Sequence, residues 1–235
     1  MFLSIILPAR NEEFLIRDTL KDITSFLSKR KINDYEILVV LNGCTDGTEG
    51  IVRELNKKNS RIKILKSDPG YGLALRKGLE GSRGRYVVVF NVDFYDLKMI
   101  DLASIDLYGK DLIIGSKMTH WSADKRPLLR RTISYLFNLY LRLFYGFKGS
   151  DTHGIKIMKR EVVKKVLPKC VTDSGIFDTE FVLIAQYLGF KFADFPVEIV
   201  EKRPPRFSKR MLKTPSDLFN LHRVLIGNDF KNEIK

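Results

Sequence analysis

A chain of 235 residues carrying 41 Lys+Arg against 28 Asp+Glu is long enough for one well-filled α/β core or at most two small domains, and its net charge of +13 asks for an anionic partner. The excess lies in one half, since Met1 to Gly115 carries 18 basic against 16 acidic residues and Ser116 to Lys235 carries 23 against 12. Two cysteines, Cys44 and Cys170, without metal-ligand spacing, exclude a disulfide framework and fit a reducing compartment.

The first half alternates strand-like and helix-like segments. Phe2 to Leu7 reads as a strand, with no basic segment before it and no small-residue cleavage site after it, so no secretory signal is expected. Glu12 to Leu27 follows as an amphipathic helix with Leu15, Ile16, Leu20, Ile23 and Leu27 on one face. Then come the strand Ile37 to Leu41, a helix through Thr48 to Asn56, the strand Ile62 to Leu65, a helix around Leu73 to Glu80, and the strand Tyr86 to Phe90. Repeated βα units of this kind give a mostly parallel sheet with helices on both faces.

The second half differs in character. Leu112 to Gly115 reads as another strand, and Lys117, Lys125, Arg126, Arg130 and Arg131 precede the apolar stretch Ile133 to Phe147. That stretch is shorter than the roughly 20 residues of a spanning helix. On a helix, Arg131, Ser134, Asn138 and Arg142 form a narrow polar stripe, and the apolar remainder suits either a membrane interface or a buried core position. A strand ending near Met158, helices Glu161 to Leu167 and Phe177 to Leu188, and a strand Phe192 to Val200 complete the pattern. The basic run Lys202 to Lys213 reads as a loop, and Thr214-Pro215 opens a final helix, which divides the chain into a catalytic domain at 1–213 and a helix and tail at 214–235.

Candidate chemistry gathers at strand ends. Asn42 to Thr48 and Asp68 to Gly72 pack turn formers and backbone N–H groups between a strand and a helix. Asn91 and Asp93 stand at the end of the Tyr86 to Phe90 strand, where ligands of open α/β sheets bind. One Asp with a neighbouring amide oxygen can hold Mg²⁺ or Mn²⁺ when a substrate's phosphates complete the shell; a strand-end Asp capping the next turn is the structural alternative.

The segments Leu7-Pro8-Ala9-Arg10-Asn11-Glu12-Glu13, Asn42-Gly43-Cys44-Thr45-Asp46-Gly47-Thr48, Gly70-Tyr71-Gly72-Leu73-Ala74-Leu75-Arg76-Lys77-Gly78 and Asn91-Val92-Asp93, in this order and spacing, resemble family 2 glycosyltransferases of the GT-A fold. Asp151-Thr152-His153-Gly154-Ile155-Lys156 and Phe177-Asp178-Thr179-Glu180 are similar to segments of the polyprenyl-phosphate (dolichyl-phosphate) mannosyl- and glucosyltransferases within it. The resemblance runs from about Phe2 to Phe207 and implies a Rossmann-like central sheet with a basic, membrane-proximal helical and loop region.

It also implies roles. Pro8, Arg10, Glu12, Asn42, Gly72, Arg76 and Asn91 would bind a GDP- or UDP-linked sugar, and Asp93 with Asn91 would hold Mg²⁺ or Mn²⁺ against its diphosphate. Lys117, Arg130, Arg131, Arg206 and Ser208 would hold a polyprenyl phosphate at an anionic, cytoplasmic membrane face, with no nucleic-acid partner. The reaction implied is inverting transfer of mannose or glucose to that phosphate. Transfer to a sugar hydroxyl, with Asp178 as catalytic base, and a catalytically silent binder of nucleotide or anionic lipid are the alternatives. The chain departs from the family pattern at Leu41-Asn42, where paired acids are common, at Asn91, where Asp is usual, which leaves Asp96 as a further ligand, and at Tyr71, where a basic residue is common.

Overall fold

The computed structural model describes residues 1–116 and 128–197 together with His222, and of residues 128–130 the backbone alone. The expected basic loop, the 213/214 boundary and the rest of the final helix lie outside the described residues, as do Lys117, Arg206 and Ser208 and the side chain of Arg130.

Seven strands form one sheet in the order β3-β2-β1-β4-β6-β5-β7. β1 (Leu3–Ala9), β2 (Tyr35–Asn42), β3 (Ile62–Ser67) and β4 (Tyr86–Val89) run parallel, linked by α1 (Ile16–Lys29), α2 (Thr48–Lys58) and α3 (Tyr71–Gly81). β1, β2 and β4 are buried at every position, which is why they read as near-continuous apolar runs rather than alternating ones. Alternate residues still serve opposite faces. Ile6, Val40 and Val89 pack with Ala74 and Leu75 of α3, whereas Ile5, Val39 and Val88 pack with Ile16, Leu20 and Ile23 of α1.

The strand order reverses direction between β1 and β4, so a crevice opens at their carboxyl ends. α4 (Lys98–Ser104), for which the sequence predicts no element, follows β4. β5 (Leu112–Ser116) and β7 (Phe192–Pro196) are parallel to each other, and β6 (Lys156–Lys159) lies antiparallel between β4 and β5. Because β6 runs the other way, its first residues sit beside the last residues of β4, with Lys156 in register with Val89. The Asp151 to Ile155 loop thereby reaches the crevice.

α5 (Leu128–Tyr145), α6 (Arg160–Val166) and α7 (Phe177–Tyr187) cover the second half. α7 is apolar around most of its circumference and buried from Phe177 to Ala185. α5 buries one face and leaves another exposed. Asn138, Leu141 and Tyr145 face inward, while Ile133, Tyr135, Leu136, Leu139, Leu143 and Phe144 are exposed, Leu143 at 72 %. The polar Asn138 can turn inward because its Nδ2 donates to Ser134 O at 3.0 Å, one helical turn back.

Candidate active site

Two loops at the ends of β1 and β2 are stitched together by side chains that satisfy backbone N–H groups. Asn11, held in the left-handed region at φ 56°, accepts from Thr45 N through Oδ1 at 2.8 Å. Glu13 Oε2 accepts from Gly47 N at 2.8 Å, Asp46 Oδ2 from Glu13 N at 3.2 Å, and Thr48 Oγ1 from Glu12 N at 2.7 Å. Burial pushes the Asp46 carboxyl up, but the hydrogen bonds from Thr48 and from the Glu13 N–H more than offset that and leave it below its ordinary value. The loop carrying Pro8, Arg10 and Glu12 is thereby fixed against the Asn42 to Thr48 loop, with Pro8 and Glu12 buried and Arg10 exposed.

A second set of contacts ties α3 to the segment before α7. Asn42 Oδ1 accepts from Gly70 N at 2.7 Å. A Cβ on Gly72 would stand 2.6 Å from the backbone of Asp173 and Ser174, so only glycine allows this approach. Arg76 donates to Asp173 Oδ1 at 3.0 Å and to the Cys170 carbonyl at 2.9 Å, and its guanidinium lies over the Phe177 ring, 5.4 Å from the centroid. Glu180, fully buried, accepts from Val171 N and Thr172 N at 2.8 and 2.9 Å. Gly72 and Arg76, expected at the nucleotide, are thus engaged in holding this segment in place.

At the end of β4, Asn91 and Phe94 exchange backbone hydrogen bonds in a tight turn that carries the half-buried Asp93. Beside it the Tyr71 hydroxyl lies 3.4 Å from Asn91 Oδ1 and 3.2 Å from Asp178 Oδ2. The other Asp178 oxygen accepts from Lys156 Nζ at 2.9 Å, and Lys156 also donates to Gly154 O at 2.7 Å. Both members of this ion pair are buried, with side chains 2 % and 5 % exposed. The crevice between β1 and β4 is therefore walled by a loop pair on one side and by a Tyr71–Asp178–Lys156 chain on the other.

The described residues contain no cluster of three or more His, Cys, Asp and Glu suited to a metal ion. The sequence pattern of glycosyl transferase family 2 matches residues 4–167, more than half of the chain. The chain belongs to glycosyl transferase family 2. A dolichyl-phosphate beta-glucosyltransferase of Dictyostelium discoideum is 28% identical over 219 residues, an alignment that takes in 86% of this chain and 67% of that protein. Glycosyltransferase AglD of Haloferax volcanii is 31% identical over 208 residues, covering 83% of this chain and 32% of the relative. The chain thus spans about two thirds of the first relative and about one third of the second. Among solved structures, a Mycobacterium tuberculosis glucosyl-3-phosphoglycerate synthase, in complex with Mn²⁺, UDP-glucose and phosphoglyceric acid, superposes with a TM-score of 0.64 at 19% identity over 94% of this chain and 79% of the neighbour.

Within this family frame the structure brings Pro8, Glu12, Asn42, Asn91, Asp93 and Asp178 to the carboxyl ends of the central strands. Asn91 and Asp93 offer oxygen donors, a set that fits a hard cation arriving with a diphosphate that completes its shell. Of the expected acceptor-phosphate residues, Arg131 lies half-buried near the start of α5. Lys156 was missed as a site residue. Its signal in the sequence was a lysine inside Ile155-Lys156-Ile157-Met158, a position that a strand buries only with a partner.

Proposed function

We propose that this chain transfers one sugar, mannose or glucose, from a GDP- or UDP-linked donor to a polyprenyl phosphate, working at a membrane surface. The names of the Dictyostelium and other dolichyl-phosphate beta-glucosyltransferase relatives favour glucose and this acceptor class. Pro8, Arg10, Glu12 and Asn42 would line the nucleotide pocket, and Asp93 with Asn91 would hold Mg²⁺ or Mn²⁺. Such an ion, when bound, neutralises charge on the departing diphosphate.

The observation that carries the acceptor assignment is the Lys156–Asp178 ion pair. A hydroxyl acceptor must lose its proton to a base, and Asp178 has one oxygen committed to Lys156 and the other facing the Tyr71 hydroxyl. A phosphate monoester brings an oxygen already ionised near neutral pH, its second pKa being about 6. That oxygen forms the bond to the anomeric carbon, the bond from that carbon to the donor diphosphate breaks, and the nucleoside diphosphate leaves. No proton moves, and the anomeric centre inverts.

The exposed apolar face of α5, with Leu136, Leu143 and Phe144, suits a helix lying in the interface of a bilayer. No helix among the described residues is long and apolar enough to cross a membrane. A peripheral position, with basic residues of the second half near anionic headgroups, serves an acceptor whose hydrocarbon tail stays in the lipid.

The test incubates the purified protein with Mg²⁺ or Mn²⁺, a short polyprenyl phosphate and labelled nucleotide sugars, and counts label extracted into organic solvent. Transfer is expected from one donor and a loss of about 100-fold or more in Asp93→Ala, the scale for removing a principal charge-stabilising group. Undiminished transfer by Asp93→Ala would overturn the assignment of the cation site.

A further inference from the structure

The Tyr71 hydroxyl has one proton and, among the described residues, lies near both Asp178 Oδ2 at 3.2 Å and Asn91 Oδ1 at 3.4 Å. It can donate to one of them only. Asp178 is the stronger acceptor, because it is the buried carboxylate of an ion pair whose other oxygen Lys156 already holds at 2.9 Å. The remaining contact would then set two oxygens against each other with no hydrogen between them. Turning the Asn91 amide over about its last bond removes the conflict, because Nδ2–H then donates to the Tyr71 oxygen while the Tyr71 proton goes to Asp178.

We infer that Lys156, Asp178 and Tyr71 form a positioning relay that fixes the amide of Asn91, nitrogen toward Tyr71 and carbonyl oxygen turned away from it, so that this neutral residue presents oxygen to a divalent cation at Asp93. The relay matters because Mg²⁺ and Mn²⁺ take oxygen and an asparagine has one oxygen to offer. An aspartate at this position has two and needs no orienting. Tyr71 and Asn91 therefore work as a matched pair: the residue that needs a fixed side chain stands beside the residue that fixes it. The relay leaves the net charge of the pocket unchanged, since the charges of Lys156 and Asp178 cancel. None of the three touches the reacting atoms in this role, and Asp178 serves as an anchor rather than as a base.

This inference rests on the proposed cation at Asp93, and the experiment separates the two. Free Mn²⁺ is measured by electron paramagnetic resonance at saturating nucleoside diphosphate, without sugar or acceptor, for the unaltered protein, Tyr71→Phe, Asn91→Asp and the double variant. Tyr71→Phe is expected to raise the Mn²⁺ Kd about five- to tenfold, the effect of one hydrogen bond. In the Asn91→Asp background the same substitution is expected to change it by less than about twofold, because a carboxylate needs no orienting. An unchanged Kd in Tyr71→Phe, or an equal weakening in both backgrounds, overturns the relay while leaving the cation site standing. Absence of Mn²⁺ binding by the unaltered protein overturns the cation site and the relay with it. A second readout needs no Tyr71 variant to fold. The side-chain amide of Asn91, assigned in the ¹⁵N–¹H spectrum by its disappearance in Asn91→Asp, is expected to exchange slowly with solvent, and free exchange would overturn the relay.

Discussion

Lys156 lies between Ile155 and Ile157, and its ammonium is buried against Asp178. Lys156→Met would leave that carboxylate buried without its counter-charge, and a loss of about 3–5 kcal/mol is expected in urea denaturation. Adding Asp178→Leu should regain most of it, since replacing both partners removes the uncompensated charge. Glu36, 1 % exposed, offers a pH-dependent counterpart. Burial pushes its carboxyl up, yet hydrogen bonds from Lys63, Ser4 and the Arg83 N–H outweigh that and hold it below its ordinary value. A depressed folded pKa contributes stability that is present above the unfolded value and lost as pH falls through the folded one. Between about pH 5 and about pH 3 the unaltered protein should therefore lose more stability than Glu36→Gln, as followed by circular dichroism. At this scale the sequence singles out Asn91 and Asp93 by their place at a strand end and Asp178 by the family-like segment Phe177-Asp178-Thr179-Glu180. The partners of Asp178 were not, because Tyr71 and Lys156 come from segments 107 residues and 22 residues distant in the chain and only the folded sheet brings them together.

The glycine-rich start of α3 and the amphipathic α5 show what an element's pattern can and cannot say. Turn residues at Gly70 and Gly72 announced a helix start, but the cause of Gly72 is the Asp173 and Ser174 backbone pressed against it. Gly72→Ala should cost about 1–3 kcal/mol in thermal or urea unfolding, the usual penalty of overpacking. For α5, periodicity marked a polar stripe and an apolar remainder without saying which faced the core. The structure turns Asn138 inward, where its donor is met by Ser134 O, and leaves Leu143 and Phe144 exposed. Leu143→Asp is accordingly expected to leave the unfolding midpoint within about 0.5 kcal/mol of the unaltered protein, as for other surface substitutions, and to weaken sedimentation with anionic vesicles. A loss of stability without a loss of vesicle binding would place that face against protein instead of lipid.

At the scale of the whole molecule, the alternation of strands and helices was enough to give the parallel half of the sheet, and βα connections fixed the direction of β1 to β4. The antiparallel insertion of β6 was not legible, because strand direction in the second half depends on pairings between distant segments rather than on any local pattern. That insertion is what brings Lys156 to the end of β4 and closes the crevice opposite the loop pair. The proposed reaction bonds the sugar to a phosphate oxygen with no base required. It is tested most directly by the ³¹P spectrum of the product formed from one nucleotide sugar and a short polyprenyl phosphate. Conversion of the monoester signal to that of a sugar phosphodiester is expected, and label entering a hydroxyl acceptor while the monoester signal stays unchanged would contradict it.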